Sequence, residues 1–154
     1  MVEGLNIPFY HIPANKEIRE QVEQKQLELL KEHDIDLIIL VRYMQISTPK
    51  FVAANSKKII NIHHSFLPAF IGARPYDRAY DRGVKLIGAT AHFVTNDWDE
   101  GPIIEQDIAR VDHRSDADKL KKMGRSIERS VLARSVKWHL EDRIIVYQNK
   151  TIVF

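Results

Sequence analysis

The run LIILV inside DLIILVRY (36–43) carries no polar side chain at any alternate position. A strand with one wet face alternates apolar and polar residues. An unbroken apolar run therefore marks a strand covered on both sides, as in parallel sheets. KIINIHH (58–64) repeats the strand signal. Between the two, Thr48-Pro49 starts a short helix through Phe51 and Val52, with proline in its first turn. Strand, helix, strand in that order predicts an α/β sheet with DLIILVRY as an interior strand.

The flanking segments extend this pattern. PFYHI (8–12) reads as a short strand bounded by Pro8 and Pro13. Asn15 is placed to cap a helix, with Glu17 and Glu20 near its positive end. Ile18, Val22 and Leu29 or Leu30 form its apolar stripe, ending near His33-Asp34. Gly72 to Gly83 frames a helical turn. KLIGATAHFV (85–94) and IIEQDIARV (103–111) read as a strand pair, giving a mostly parallel sheet a mixed edge. Ser115 is the expected cap of a long helix to about Leu140, with Leu120, Met123, Ile127, Val131 and Trp138 at helical spacing. IIVYQNKTIVF closes the chain as a hairpin around Gln148-Asn149-Lys150.

A length of 154 residues suits one domain. A net charge of +2 is too small to argue for a nucleic-acid partner. Cysteine is absent, which removes disulfides, thiolate metal ligands and a cysteine nucleophile. No apolar run reaches the roughly 20 residues needed to cross a bilayer, and the start MVEGLNIPFYHIP lacks a secretory pattern. The expectation is a soluble cytoplasmic protein without a membrane partner.

Chemistry concentrates between 61 and 106. In a strand Asn61 and His63 share a face, with Cα atoms about 6.6 Å apart at ~3.3 Å per residue. An amide offers fixed N–H donors, and an imidazole can donate, accept or shuttle a proton. Together they can hold a carbonyl oxygen as it becomes an oxyanion. An Asn-x-His pair also serves as a capping device at strand ends. Asp99, in NDWDEGP, can orient His63 and handle a proton from water, while turn chemistry alone also explains an Asp before Gly101-Pro102. His92 shares a face with Thr90 and Val94, and either supports the carboxylate or fills a semi-buried structural place.

Other chemistries lack their motifs. His63 and His64 are adjacent, so a regular strand points them to opposite faces, and no H-E-x-x-H spacing is present for a metal. There is no G-x-S-x-G elbow. Nor is there a G-x-G-x-x-G or Walker loop for a dinucleotide or nucleoside triphosphate.

NIHHSFLPAF, GARPYDRAYDRGVKLIGATAHFVTNDWDEGPIIEQ, VRYMQIS and the ending HLEDRIIVYQNKTIVF closely resemble the formyltetrahydrofolate deformylases of the formyltransferase-fold family. The resemblance covers almost the whole chain. It implies a formyltransferase-like, Rossmann-type sheet and hydrolysis of 10-formyltetrahydrofolate to tetrahydrofolate and formate, in one-carbon and purine metabolism. By the same resemblance Asn61, His63 and Asp99 are catalytic. Tyr43, Met44, Gln45 and Ile46 match the loop receiving the pterin, with Thr90, His92, Val94 and Thr95 on the other wall. No metal or redox cofactor is implied; the partners are the folate and water, and a homo-oligomer stays open. His64, where the transferases usually carry proline, favours the deformylases within the family.

The resemblance also implies segments ahead of this one: an N-terminal ACT-type domain and the first strands and helices of the catalytic domain. On that expectation residues 1–154 are the C-terminal major part of a catalytic domain lacking its N-terminal strands, and poorly active alone. Two rival functions remain, a formyltransferase to an amine acceptor such as glycinamide ribonucleotide and a non-catalytic folate-binding remnant.

Overall fold

The computed structural model describes residues 3–13, 18–43, 47–64, 75–96 and 101–154. Among the described residues ten regular elements follow an initial 3-10 turn at Glu3–Leu5: α1 (Arg19–Glu32), β1 (Ile38–Val41), α2 (Pro49–Ala54), β2 (Ile59–His63), α3 (Pro75–Arg82), β3 (Leu86–Phe93), β4 (Ile103–Arg110), α4 (Ala117–Leu140), β5 (Ile144–Tyr147) and β6 (Lys150–Val153). β1 to β4 form one sheet in that spatial order, and β5–β6 form a separate hairpin.

β1 and β2 run parallel, with α2 in the crossover, whereas β2–β3 and β3–β4 are antiparallel. The described sheet is thus mixed, with one parallel pairing rather than the mostly parallel set expected. β3 and β4 form the expected strand pair, antiparallel as neighbours in sequence, and β3 also runs antiparallel to β2. Among the described strands β1 is an edge, with Ile39 41% and Val41 55% exposed. Its other face, Ile38 and Leu40, meets Leu29 and Leu30 of α1 and Phe51 of α2 around a cavity of about 240 Å³.

α4 lies across one face of the sheet. Val131 packs with Ile60, Ile62, Ala89, Ala91, Phe93 and Ile104, flanked by Ile127 and Trp138. Leu120 packs with Ala79, Ile87 and Val111, flanked by Met123. Full burial of a residue such as Ile60 contributes about 1.5–3 kcal/mol. Asp116, not Ser115, is the N-cap, its carboxylate accepting from the Lys119 amide at 2.7 Å. Asp116 directly precedes Ala117, the first helical residue, which puts its carboxylate within reach of the Lys119 amide. Arg134 ties α4 to β4, its Nε and Nη2 each 2.9 Å from carboxylate oxygens of Glu105 and Asp107.

Gly124 has a non-local purpose in α4. A Cβ there would lie 2.1 Å from the Tyr76 hydroxyl, which donates to Glu128 at 2.6 Å. The missing side chain lets the Tyr76 ring of α3 approach the longer helix. Burial and the Glu128 carboxylate both push the Tyr76 phenol far above its usual range.

Two further expectations change. PFYHI forms no strand, and Phe9 is 65% exposed; Tyr10 instead reaches the His33 ring, Oη to Nε2 at 2.7 Å. Ile18 is the first flanking residue of α1 and makes no side-chain cap, while Asn15 and Gly72 lie outside the described residues. Glu23, in the stripe of Val22, is 4% exposed and accepts from the Thr48 amide at 2.8 Å and from the Thr48 hydroxyl. This pair fastens α1 to the start of α2, and Thr48 still caps α2 through the Phe51 amide at 3.3 Å.

Candidate active site

The register of β2 against β3 assembles the site. Asn61 pairs with His92 and His63 with Thr90, and residues directly opposite in an antiparallel ladder share a face. Thr90 in turn faces Gln106 on β4. Ile60 and Ile62 point the other way, into the core under α4. Alternation along one short strand thus anchors its apolar side chains and presents its polar ones on the face α4 leaves uncovered.

His92 is 2% exposed, and its two ring nitrogens have different partners. Nδ1 lies 3.0 Å from the Phe93 carbonyl oxygen, which can only accept, so Nδ1 donates. Nε2 is then an acceptor for Asn61 Nδ2, 3.3 Å away. One amide hydrogen of Asn61 is used to hold its orientation; the second remains to donate elsewhere. The Gln106 amide donates to Thr90 Oγ1 at 2.9 Å, fixing the fully buried residue opposite His63.

His63 and His64 are stacked, with ring centroids 5.1 Å apart and planes 11° apart. The expectation of opposite faces fails here because β2 ends at His63 and the chain bends at His64, so alternation no longer applies. The His64 ring also contacts Tyr76, centroid to centroid 6.4 Å. The stack leads from β2 through Tyr76 to Glu128 on α4. Among the described residues no group of three or more His, Asp or Glu is arranged to hold a metal ion.

Asp99 lies outside the described residues, as do Met44, Gln45 and Ile46. The described residues nearest to it in the chain are Asn96 and Gly101. Gly101 packs so closely on β3 that a Cβ there would sit 1.8 Å from the Phe93 carbonyl oxygen and 3.4 Å from His92 Nδ1. The Pro102 carbonyl accepts from the Phe93 amide at 3.0 Å.

The expected substrate residues separate. Tyr43 lines the apolar cavity between α1, β1 and α2 together with Leu40, the parallel-ladder partner of Asn61. Its phenol is pushed up by burial and then by the Glu23 carboxylate, with Gln26 donating in opposition. Val94 and Thr95 line a different cavity of about 260 Å³, with Val52 and Ala53 of α2 and Val146 and Gln148 of the terminal hairpin. Neither cavity is lined by Asn61 or His63. Sequence reasoning missed Gln106, Glu23 and Tyr76 as supports. Of these, Tyr76 and Gln106 lay in the stretch from GARPY to GPIIEQ already singled out by its motif, and Glu23 did not.

Comparison with known proteins follows this geometry. A family model described as formyl transferase matches residues 3–136. The chain is 73% identical over all 154 residues to a formyltetrahydrofolate deformylase of Bacillus subtilis strain 168, of which it covers 51%. A crystal structure of a formyltetrahydrofolate deformylase from Pseudomonas syringae pv. tomato superposes with a TM-score of 0.93 at 49% identity, over 99% of this chain and 51% of that one. Glycinamide ribonucleotide transformylase 1 from Symbiobacterium toebii superposes with a TM-score of 0.81 at 30% identity, over 88% and 64% of the two chains. This chain therefore spans about half the length of the curated relatives it matches. With a matched model over most of its length and the fold to go with it, the chain belongs to the formyl transferase family.

Proposed function

We propose that this chain carries the catalytic centre of a deformylase that hydrolyses 10-formyltetrahydrofolate to tetrahydrofolate and formate. The observation that carries the reading is the β2–β3 register, which sets Asn61 against His92 and His63 against Thr90 on one face of the sheet. The 73% identity to a named deformylase supports the choice of reaction.

In this reading water attacks the formyl carbon, and the carbonyl electrons move onto oxygen. The free N–H of Asn61 and the ring of His63 donate to that oxyanion. Asp99 takes the proton of the attacking water; Gly101, two positions along the chain, rests against His92, which supports placing the carboxylate beside this pair. The tetrahedral centre collapses, the bond from carbon to N10 breaks, and the proton passes to N10. Formate and tetrahydrofolate leave. The pterin ring is assigned to the apolar cavity beside Tyr43, the residue that precedes Met44, Gln45 and Ile46 in the chain, with Val94 and Thr95 contacting the folate further out.

The finer architecture belongs to the same proposal. β1 has an open edge among the described strands and exposed Ile39 and Val41, which suits a Rossmann-type sheet continued by further strands in proteins of the relatives' length. Among the described residues no helix is long and apolar enough to cross a membrane, consistent with the proposed cytoplasmic setting and a small-molecule partner.

The test is formate release from 10-formyltetrahydrofolate, with and without glycinamide ribonucleotide, by this chain and by a version extended to the relatives' length. Formate without acceptor, lost in Asp99→Asn and His63→Ala, supports the hydrolase. Product formed only with the acceptor would assign a transferase instead.

A further inference from the structure

We propose that the cleft formed by the start of β3, the end of β4 and the N-terminus of α4 binds a small phosphorylated molecule. The cleft has a volume of about 410 Å³ and is lined by Lys85, Arg110, His113 and Lys119, with Ser115 between them and Val111 and Met123 as its apolar floor. It lies at the far end of β3 from His92. Seven residues at ~3.4 Å each put it about 24 Å from the catalytic face.

Three observations converge on an anion. Lys85, Arg110 and Lys119 form no ion pair among the described residues, so three cationic side chains surround one cavity without a counter-charge of their own. The acid in the lining, Asp112, is already engaged by Arg114, Nε at 3.2 Å and Nη2 at 2.9 Å. Ser115 is only 5% exposed as a residue and lines the cleft, where its hydroxyl can donate to an oxyanion.

The backbone adds to this field. α4 is 24 residues long, and its N-terminus carries a positive partial charge. Asp116 satisfies the Lys119 amide and offsets part of that charge, so the side-chain cations supply most of the attraction. A tetrahedral oxyanion matches three cations and a hydroxyl better than a planar carboxylate does, because it presents acceptor oxygens in several directions. The volume exceeds that of a bare phosphate, and Val111 and Met123 offer an apolar surface to an organic group.

The experiment titrates inorganic phosphate, and separately phenyl phosphate, into the 154-residue protein at constant ionic strength, following backbone amide NMR signals. Saturable shifts at Ser115 and Lys119 are expected, with phenyl phosphate binding the tighter. Arg110→Gln should weaken both at least tenfold, and Lys119→Gln, at an exposed position, should weaken them independently. Ser115→Ala should weaken them severalfold while signals from the β2–β3 face stay in place. Shifts matched by chloride, or wild-type affinity in both Arg110→Gln and Lys119→Gln, overturn the site. Phenyl phosphate binding no tighter than phosphate overturns the assignment to an organic phosphate. None of these readouts depends on deformylase activity, so failure here leaves the reaction proposed above untouched.

Discussion

Asn61 Nδ2 lies 3.3 Å from His92 Nε2, and the far nitrogen of the same ring donates to the Phe93 carbonyl. The histidine is thus a bracket between the backbone of β3 and the amide of β2. Its Nδ1–H tautomer is set by the carbonyl, and that tautomer makes Nε2 an acceptor. Replacing His92 by Ala should free the Asn61 amide to rotate and leave a buried space. Formate release is expected to fall by about 10²-fold in kcat with KM little changed, the scale of losing one aimed oxyanion donor. His92→Gln, which can restore an acceptor, should recover part of the rate. Unchanged kcat in His92→Ala would remove the bracket from the mechanism.

Gly101→Ala tests whether the turn after Asp99 must hug β3. The new methyl would overlap the Phe93 carbonyl oxygen at 1.8 Å, and a backbone carbonyl in a ladder cannot swing aside. The segment carrying Asp99 must then shift. A misplacement of about 1 Å costs on the order of 10²-fold in rate. Far-ultraviolet circular dichroism should stay near wild type while formate release drops; retained activity would show that the turn is free to move.

Gly124→Ala separates helix propensity from packing. In an isolated helix the change would stabilise by about 1 kcal/mol. Here the Cβ would fall 2.1 Å from the Tyr76 hydroxyl, so a loss of about 1–3 kcal/mol is expected from urea unfolding. In a Tyr76→Ala background the same substitution should become neutral or stabilising. A double-mutant cycle measures the coupling, and additive effects would contradict the contact.

Arg134 makes stability depend on acid through Asp107. The guanidinium hydrogen bond and the Ile108 amide hold the Asp107 carboxyl below its usual range. A carboxylate depressed in the folded state contributes stability above its unfolded pKa of about 3.9 and loses it as pH falls through the lower folded value. Both partners are partly exposed, so solvent screening limits the effect to about 0.2–1 kcal/mol. Arg134→Gln should lower stability at neutral pH, with the gap to wild type closing on acidification below the ordinary carboxylate range. A gap that stays constant with pH would mean that the ion pair is not its source.

Local chemistry was legible in the chain. Thr48-Pro49 capped α2, apolar spacing located α4, the Gln148-Asn149 turn joined β5 to β6, and Ile60 and Ile62 alternated with Asn61 and His63 as a strand requires. Each of these rests on residues within a few positions of one another, where propensity and periodicity act. Family motifs in the same stretch pointed to the candidate site for a related reason, since Asn61 and His63 sit on one short strand.

Pairings between distant segments were settled by folding alone. Nothing near Asn61 announces His92 as its partner; the β2–β3 register does. Glu23 looks like a surface residue of α1 until Thr48 arrives from 25 positions away to accept its burial. Gly124 looks like a weak point in a helix until Tyr76 lies against it. His63 and His64 stack because β2 stops between them, an end point fixed by ladder partners rather than by the two residues. PFYHI has strand chemistry and yet joins no ladder, and DLIILVRY has interior chemistry at an edge of the described sheet. Backbone hydrogen bonds and buried polar groups need partners, and which partner comes within 3 Å is a property of the assembled fold.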